Sequence, residues 1–238
     1  MMEQNIWDKS EWTKRAYQLL KGINELPKDN KLIMVIRHSH RYDSKNIRDH
    51  PKDLLTPTGH KFAKFFGEHL PKDRPIRLYY SIIERCKQTA ENIFNGYNHN
   101  PQSAEIIGPL KELYDIGISP EEFYKEATKY PLDLLMHRWV AGLYPSEMIP
   151  PIQEYAKKSA HIIWNEIENG PEKCIDIHVT HDLILSILRL GWFGLPLERW
   201  PSYLSGFVFT LQENEILLYD FDHLKIVEVP FWWKNKII

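Results

Sequence analysis

Short apolar runs alternate with amphipathic stretches along most of this chain, and the alternation predicts strands followed by helices. The first run, Leu32–Ile36, is almost continuously apolar, which is typical of a parallel strand covered on both faces. Arg77–Tyr80 and Cys174–Thr180 are the later strand-like runs. Because strands that alternate with helices form parallel sheets, this part of the chain predicts an α/β fold.

Capping residues indicate where the intervening helices begin. Thr56 or Thr58 caps a helix with apolar side chains at helical spacing. Ser81, with Glu84 three residues later, forms a capping-box pattern. This pattern places Arg85 within about the first turn of the next helix, near the positive end of the helix dipole.

The last third of the chain combines one more helix with a β-rich end. Leu183–Leu190 predicts a helix that stops near Gly191. Three strand-like runs separated by short turns follow: Phe207–Leu211, Ile216–Tyr219 and Ile226–Val229. The whole pattern predicts a three-layer α/β sandwich, with a mostly parallel central sheet, helices on both faces and a helical insertion.

We expect a single domain, 1–238, with two additions to the sheet and its covering helices. Residues 1–26 carry apolar side chains at helical spacing and predict an N-terminal amphipathic helix. Packing on its own domain is the favoured interpretation, and a membrane-surface or partner-binding helix is the alternative. Residues from about 116 to 170 contain helical patterns and no convincing parallel strand, so they predict a helical insertion that forms a lid over a site.

Composition narrows the classes of partner. The chain has 238 residues, 43% of them hydrophobic, and a net charge of −2 from 30 basic and 32 acidic residues. Without a basic excess we expect no nucleic-acid and no membrane partner. Cys86 and Cys174 are far apart and predict free thiols in a reducing compartment. With no signal pattern and no run as long as a membrane span, a cytoplasmic location is expected.

Polar residues that carry chemistry follow three of the predicted strands. Arg37, His38 and Arg41 come after the first strand, Arg85 after the second, and His181-Asp182 after a later one. Ligands bind at the carboxyl ends of strands in open α/β sheets, so these residues are expected along one edge. Arginine forks and imidazoles together match a phosphate dianion. A solvated basic turn is the alternative for the first cluster taken alone.

Four blocks, in order, resemble the histidine phosphatase superfamily, which includes phosphoglycerate mutases and histidine acid phosphatases. Arg37–Arg41 is similar to its RHGxR signature, and Leu55–Gly59 resembles the LTPxG block. Ser81–Ala90 resembles the SxxxRxxQTA block, and His181-Asp182 resembles the HD of the acid-phosphatase branch. The resemblance implies a phosphoglycerate mutase-like fold and a metal-independent phosphatase that needs no cofactor.

The resemblance also implies a role for each matching residue. His38 would attack phosphorus and carry the phosphoryl group, and Asp182 would protonate the leaving oxygen. Glu112 lies in a segment similar to the one that supplies a catalytic glutamate in the mutase branch, so it is a second candidate acid. The residues implied to hold the phosphoryl oxygens are Arg37, Arg41, Arg85 and His181.

One position departs from the family pattern, because Ser39 stands where the signature has glycine. Glycine there would permit a close backbone approach or an unusual φ, and serine adds a Cβ and a hydroxyl. We therefore weigh three functions: a phosphatase, a non-catalytic phosphate-binding or regulatory protein, and a phosphomutase-type transferase. The expected partner is a small phosphorylated substrate. The sequence leaves open the identity of that substrate and whether the chain forms a homodimer.

Overall fold

The computed structural model of the chain describes residues 7–97, 103–196 and 199–234. Its strands are β1 (Leu32–Arg37), β2 (Ile76–Tyr80), β3 (Ala104–Pro109), β4 (Ile175–Thr180), β5 (Gly206–Leu211), β6 (Glu215–Asp220) and β7 (His223–Glu228). Its α-helices are α1 (Glu11–Gly22), α2 (Pro57–Glu68), α3 (Glu84–Tyr97), α4 (Pro120–Lys129), α5 (Leu132–Val140), α6 (Ile152–Glu168), α7 (Asp182–Phe193) and α8 (Phe231–Lys234). Short 3₁₀ helices cover Ile23–Glu25, Ile47–Lys52 and Lys111–Leu113.

The strands form one mixed sheet in the order β3-β2-β4-β1-β5-β6-β7. The α/β fold is confirmed, but the prediction of a mostly parallel sheet holds only for the first half. The pairs β3-β2, β2-β4 and β4-β1 are parallel, whereas β1-β5, β5-β6 and β6-β7 are antiparallel. The last three strands are joined by short turns, which connect only antiparallel neighbours. Phe221 and Asp222, at φ 46° and 68°, make the tightest of these turns.

Two apolar cores cover the two faces of the sheet. Leu32, Met34 and Ile36 of β1 pack with α1, α2 and α3, whereas Ile33 and Val35 pack with α6 and α7. All five side chains are buried, because alternate residues of a strand point to opposite faces. The predicted strand covered on both faces, and the three-layer arrangement, are therefore confirmed.

The two predicted additions to the sandwich differ in how far the structure matches the prediction. α1 buries Ala16, Leu19 and Leu20 against the sheet, so it packs on its own domain. The region from 116 to 170 holds α4, α5 and α6, but α6 is part of a covering layer rather than of a lid. None of the helices in the described part of the chain is long and apolar enough to span a membrane.

Helix boundaries and one strand differ from the sequence predictions. Thr56 does cap α2, through its hydroxyl and the N–H of Gly59. α3 begins only at Glu84, so Ser81 lies too early to cap it. α7 continues past Gly191 to Phe193 and ends where Gly194 adopts a left-handed φ of 65°. The pattern missed β3, an edge strand that ends in glycine and proline, residues that are rare in strands.

Candidate active site

The neighbouring strands β2, β4 and β1 bring the predicted site residues to one carboxyl edge. Arg85 lies at the centre: its Nε is 2.9 Å from Nε2 of His38, and its Nη2 is 3.0 Å from Nδ1 of His181. Arg37 reaches Asp182 with a 2.8 Å separation of Nη2 and Oδ2. Residues from three separate parts of the sequence therefore form one cluster, as the sheet order requires.

His38 is held as a neutral imidazole with Nε2 unprotonated. Its Nδ1–H donates to the carbonyl of Ser39 at 2.8 Å, which assigns the tautomer, and Nε2 accepts from Arg85. Burial, with the positive charges of Arg85 and Arg37, holds the pKa of His38 well below its ordinary value. The backbone N–H of His38 donates to Thr180 at 2.9 Å and fixes the strand end. A neutral, oriented imidazole nitrogen is a nucleophile near pH 7.

His181 completes the same network from the other side of Arg85. Its Nδ1 accepts from Arg85, so its Nε2–H donates to the hydroxyl of Ser81 at 2.8 Å. Burial and the charge of Arg85 also hold the pKa of His181 well below its ordinary value. Arg85 uses its remaining Nη1 to donate to the carbonyl of His50 at 2.6 Å. Ser81 is thus a positioning residue, a role that the capping interpretation of its sequence did not foresee.

The residues that hold Arg37 in place lie outside all of the sequence motifs. Its Nη1 donates to the carbonyl of Pro201 at 2.8 Å, and its guanidinium lies 4.3 Å from the ring centre of Tyr203. The Nε of Arg37 is buried and has no hydrogen-bond partner within the part of the chain described here. A buried unpaired guanidinium donor fits an anion, because it lacks any other compensation for lost hydration.

Arg41 lines the site but is already paired with two carboxylates. Its Nη1 lies 2.5 Å from Asp53, and its Nη2 lies 3.0 Å from Asp43. With His50, these two aspartates offer metal-ligand atoms within 4.8 Å of one another. Because the guanidinium of Arg41 occupies both carboxylates, the group is charge-compensated by protein and does not indicate a metal centre.

The two residues after His38 point away from the site. The hydroxyl of Ser39 donates to the carbonyl of Gly59 at 2.7 Å, and its N–H donates to the hydroxyl of Thr89. Its φ is not positive, so this backbone does not require glycine. His40 packs between Trp12 and a tyrosine and bonds a threonine hydroxyl. Neither Ser39 nor His40 lines the cavity.

The structure separates the two candidate acids. Asp182 lines the cavity, with one oxygen on Arg37 and the other accepting from the N–H of Leu183 at 2.8 Å. Glu112 is buried elsewhere: its carboxylate lies 3.9 Å from Nζ of Lys158 on α6 and outside the cavity lining. Asp115, three residues later in the same segment, lines the cavity instead.

The cluster forms one end of a cavity of about 570 Å³. This end is lined by Arg37, His38, Arg41, Arg85, His181 and Asp182, and we call it the phosphate end after the ligand that the sequence predicts for it. Beyond it, the lining comes from the 3₁₀ helix 47–52, the segment 111–118 and the helices α4, α5 and α7. We call this second part the apolar wall; it includes Ile47, Pro51, Ile82, Ile116, Ile118, Pro120, Phe123, Tyr124, Leu132, Leu183 and Ile184.

Comparisons with known proteins place this geometry in a family. The family model of the histidine phosphatase superfamily, branch 1, matches residues 33–215. No curated protein matches the chain. The match to branch 1 contrasts with His181-Asp182, the pair that resembles the acid-phosphatase branch.

Solved structures resemble the chain at low identity. A mycobacterial glucosyl-3-phosphoglycerate phosphatase in complex with VO3 shares 14% identity and a TM-score of 0.53, over 83% of this chain and 96% of that one. Mycobacterial hydrolase 2 shares 13% identity and a TM-score of 0.51, over 88% and 97%. YhfR of Bacillus stearothermophilus shares 20% identity and a TM-score of 0.49, over 84% and 96%. The first two likenesses establish the fold.

Proposed function

The chain belongs to the histidine phosphatase superfamily, and we propose that it hydrolyses phosphomonoesters through a phosphohistidine formed at His38. The observation that carries the proposal is the neutral His38 imidazole, whose Nε2 accepts a hydrogen bond from a buried arginine. A phosphoryl group bound between Arg85 and Arg37 would present phosphorus to this nitrogen. The guanidinium groups supply the positive charge that phosphoryl transfer requires, so the proposed reaction uses no metal.

The reaction has two steps that balance on these residues. In the first, the Nε–H of Arg85 turns from Nε2 of His38 to a phosphoryl oxygen, and the freed Nε2 lone pair forms an N–P bond while the bond from phosphorus to the alcohol oxygen breaks. Asp182, protonated in the substrate complex, gives its proton to the departing oxygen. In the second, water attacks phosphorus, the N–P bond breaks, and the proton of the water passes to Asp182. The products are the alcohol and inorganic phosphate, and the enzyme is restored.

The structure gives no support to a pocket that lost turnover through Ser39. The hydroxyl of Ser39 bonds the carbonyl of Gly59 and does not enter the cavity. The added side chain therefore neither blocks Nε2 of His38 nor strains the backbone. Hydrolysis needs only water as the second acceptor, and we keep it as the one proposed activity.

Turnover of para-nitrophenyl phosphate in excess chelator tests the proposal. We expect hydrolysis by the unaltered protein and a loss to below about a thousandth in His38→Ala, because the nucleophile is gone. His40→Gln is the matched control, since it alters a neighbouring imidazole outside the cavity, and its activity is expected within about threefold. Hydrolysis that survives His38→Ala, or that stops on chelation, would refute the proposal.

A further inference from the structure

Apolar side chains supply most of the cavity lining beyond the phosphate end, where Lys111 and Asp115 are the charged lining residues. Ile82, directly after β2, is 56% exposed although it lies beside the phosphate end. The residues that face the same space from the insertion are Ile116, Ile118, Phe123, Tyr124 and Leu132. Water that covers such side chains is released when an apolar group binds, and this release favours binding.

Most polar groups on this side of the cavity already have a partner. Burial and the neighbouring hydroxyl of Tyr124 raise the pKa of Tyr114. The ring of His50 donates to a backbone carbonyl at 2.9 Å, and Asp115 accepts from a backbone N–H at 2.9 Å. Lys111 is exposed at the rim. A hydroxyl-rich ligand would therefore lose hydrogen bonds to water and regain few from the wall.

The volume of the cavity indicates a sizeable second part of the substrate. Its 570 Å³ lies within the roughly 300–1,000 Å³ of pockets that enclose drug-sized ligands. A phosphoryl group accounts only for the end lined by the arginines and histidines. The remaining space, bounded by the apolar wall, is available to the alcohol part.

We propose that the cavity selects phosphomonoesters of large apolar alcohols, aliphatic or aromatic, over those of sugars and other polyols. That these esters are substrates, and not only ligands, rests on the proposed function. The selection itself is a property of binding, however, and is measured without turnover.

The first test measures binding of alkylphosphonates, whose C–P bond this chemistry does not cleave. Octylphosphonate and propylphosphonate have the same headgroup and differ by five methylenes. Because each buried methylene strengthens binding by up to about fourfold, we expect octylphosphonate to bind at least about thirtyfold more tightly by calorimetry. Equal affinities for the two phosphonates would overturn the inference.

The second test compares hydrolysis of octyl phosphate and sorbitol 6-phosphate, which both release a primary alcohol. We expect kcat/KM to be at least about thirtyfold higher for octyl phosphate, for the same reason. Equal hydrolysis of both would refute the selection and leave the proposed function standing. No hydrolysis of either, with octylphosphonate still bound more tightly, would refute the proposed function and support the selection.

Substitutions in the apolar wall test whether this surface holds the alkyl chain. Ile82→Asn and Phe123→Asn each replace an apolar side chain of the wall by a smaller one that carries an amide. Each is expected to reduce the octyl-to-propyl ratio of phosphonate affinities by about fivefold or more. Leu134→Asn is the matched control, because Leu134 is 45% exposed on α5 and lies outside the cavity lining. An unchanged ratio in both wall variants would show that the wall does not hold the alkyl chain.

Discussion

The two ends of the cavity are built on different principles. At the phosphate end, His38, Arg85 and His181 are 2%, 6% and 6% exposed, and hydrogen bonds link them directly. Along the apolar wall, Ile82 is 56% exposed and Phe123 is only half-buried. The first end has one arrangement imposed by directional bonds, whereas the second offers non-directional surface. We infer that the chemistry is fixed at one end and the substrate range is set at the other.

The rigidity of the phosphate end comes from the sheet and from close backbone packing. β1, β2 and β4 are adjacent, so their carboxyl ends cannot separate. A Cβ on Gly59 would lie 1.9 Å from the carbonyl oxygen of His40, so α2 approaches the loop after β1 as closely as glycine permits. The wall instead combines side chains of the covering helix α7 with others from α4, α5 and the loops around them.

Arg85 variants should produce the largest contrast between the two ends. Arg85→Ala removes donors to the phosphoryl group and to Nε2 of His38, so kcat/KM should fall by about 10²–10³. The loss is expected to be equal for octyl and propyl phosphate, because the wall is untouched. Arg85→Lys should recover only part of it, since lysine lacks the fork. Steady-state kinetics on both substrates provide the measurement.

Lys87→Ala is the control for Arg85, because Lys87 lies on the same helix, pairs with Glu91 at 3.8 Å and is outside the cavity lining. Its kinetics should match those of the unaltered protein. Full activity in Arg85→Lys, or a loss confined to octyl phosphate, would contradict the assignment of Arg85 to the phosphate end.

Asp182 belongs to the phosphate end and directly precedes Leu183 and Ile184 of the apolar wall. Its asparagine variant distinguishes loss of proton donation from loss of the ion pair with Arg37. Asp182→Asn should slow alkyl phosphates about a hundredfold more than para-nitrophenyl phosphate, whose leaving group needs little protonation. Loss of the contact with Arg37 should slow both substrates alike. The ratio of kcat/KM for an alkyl phosphate to kcat/KM for para-nitrophenyl phosphate therefore measures the loss of proton donation alone.

Glu112→Gln is the control for Asp182, because the Glu112 carboxylate faces Lys158 rather than the cavity. It should change neither substrate by more than about threefold. If kcat/KM fell more for alkyl phosphates than for para-nitrophenyl phosphate in Glu112→Gln, and fell equally for both in Asp182→Asn, the proton donor would be Glu112.

The pH dependence gives a smaller effect at the phosphate end. The pKa of His38 is lowered, chiefly by burial, so its neutral form persists as the pH falls below 6.5. For para-nitrophenyl phosphate, which needs little protonation by Asp182, kcat/KM calculated on the substrate dianion should fall less than about twofold between pH 7.5 and 6.0. A nucleophile with an ordinary pKa near 6.5 would lose about fourfold over this range. Such a loss would show that His38 is not held neutral.

Ser39→Gly should have the smallest effect on activity. The variant restores the family residue but removes the bond from the serine hydroxyl to the carbonyl of Gly59. We expect activity within about twofold and a loss of about 1–2 kcal/mol in the free energy of unfolding, measured in urea. A tenfold gain in activity would instead show that serine restrains catalysis.

The sequence predicted the part of the site that is built from contiguous motifs. The strand ends carrying His38, Arg85 and His181 converge because parallel strands share one edge. Arg37 donates to the carbonyl of Pro201, which lies 164 positions later in the chain, in a loop without a motif. No local pattern could have paired them.

The same limit explains the positions of the Glu112 and Ser81 side chains. The side chain of Glu112 turns toward α6 because a buried carboxylate needs a cation, and Lys158 provides one. Ser81 bonds His181, which is 100 positions away, instead of capping α3. Both outcomes depend on tertiary contacts, whereas the covered strand β1 and the inward face of α1 follow directly from periodicity.

The central claim, a covalent bond from phosphorus to His38, is tested most directly by trapping the intermediate. The protein is mixed with a phosphomonoester labelled in its phosphoryl group, quenched at alkaline pH and digested, and the labelled peptide is sequenced by mass spectrometry. The account predicts an acid-labile phosphoryl group on His38 alone, absent from His38→Ala. Label on His181, or turnover without any labelled histidine, would contradict it.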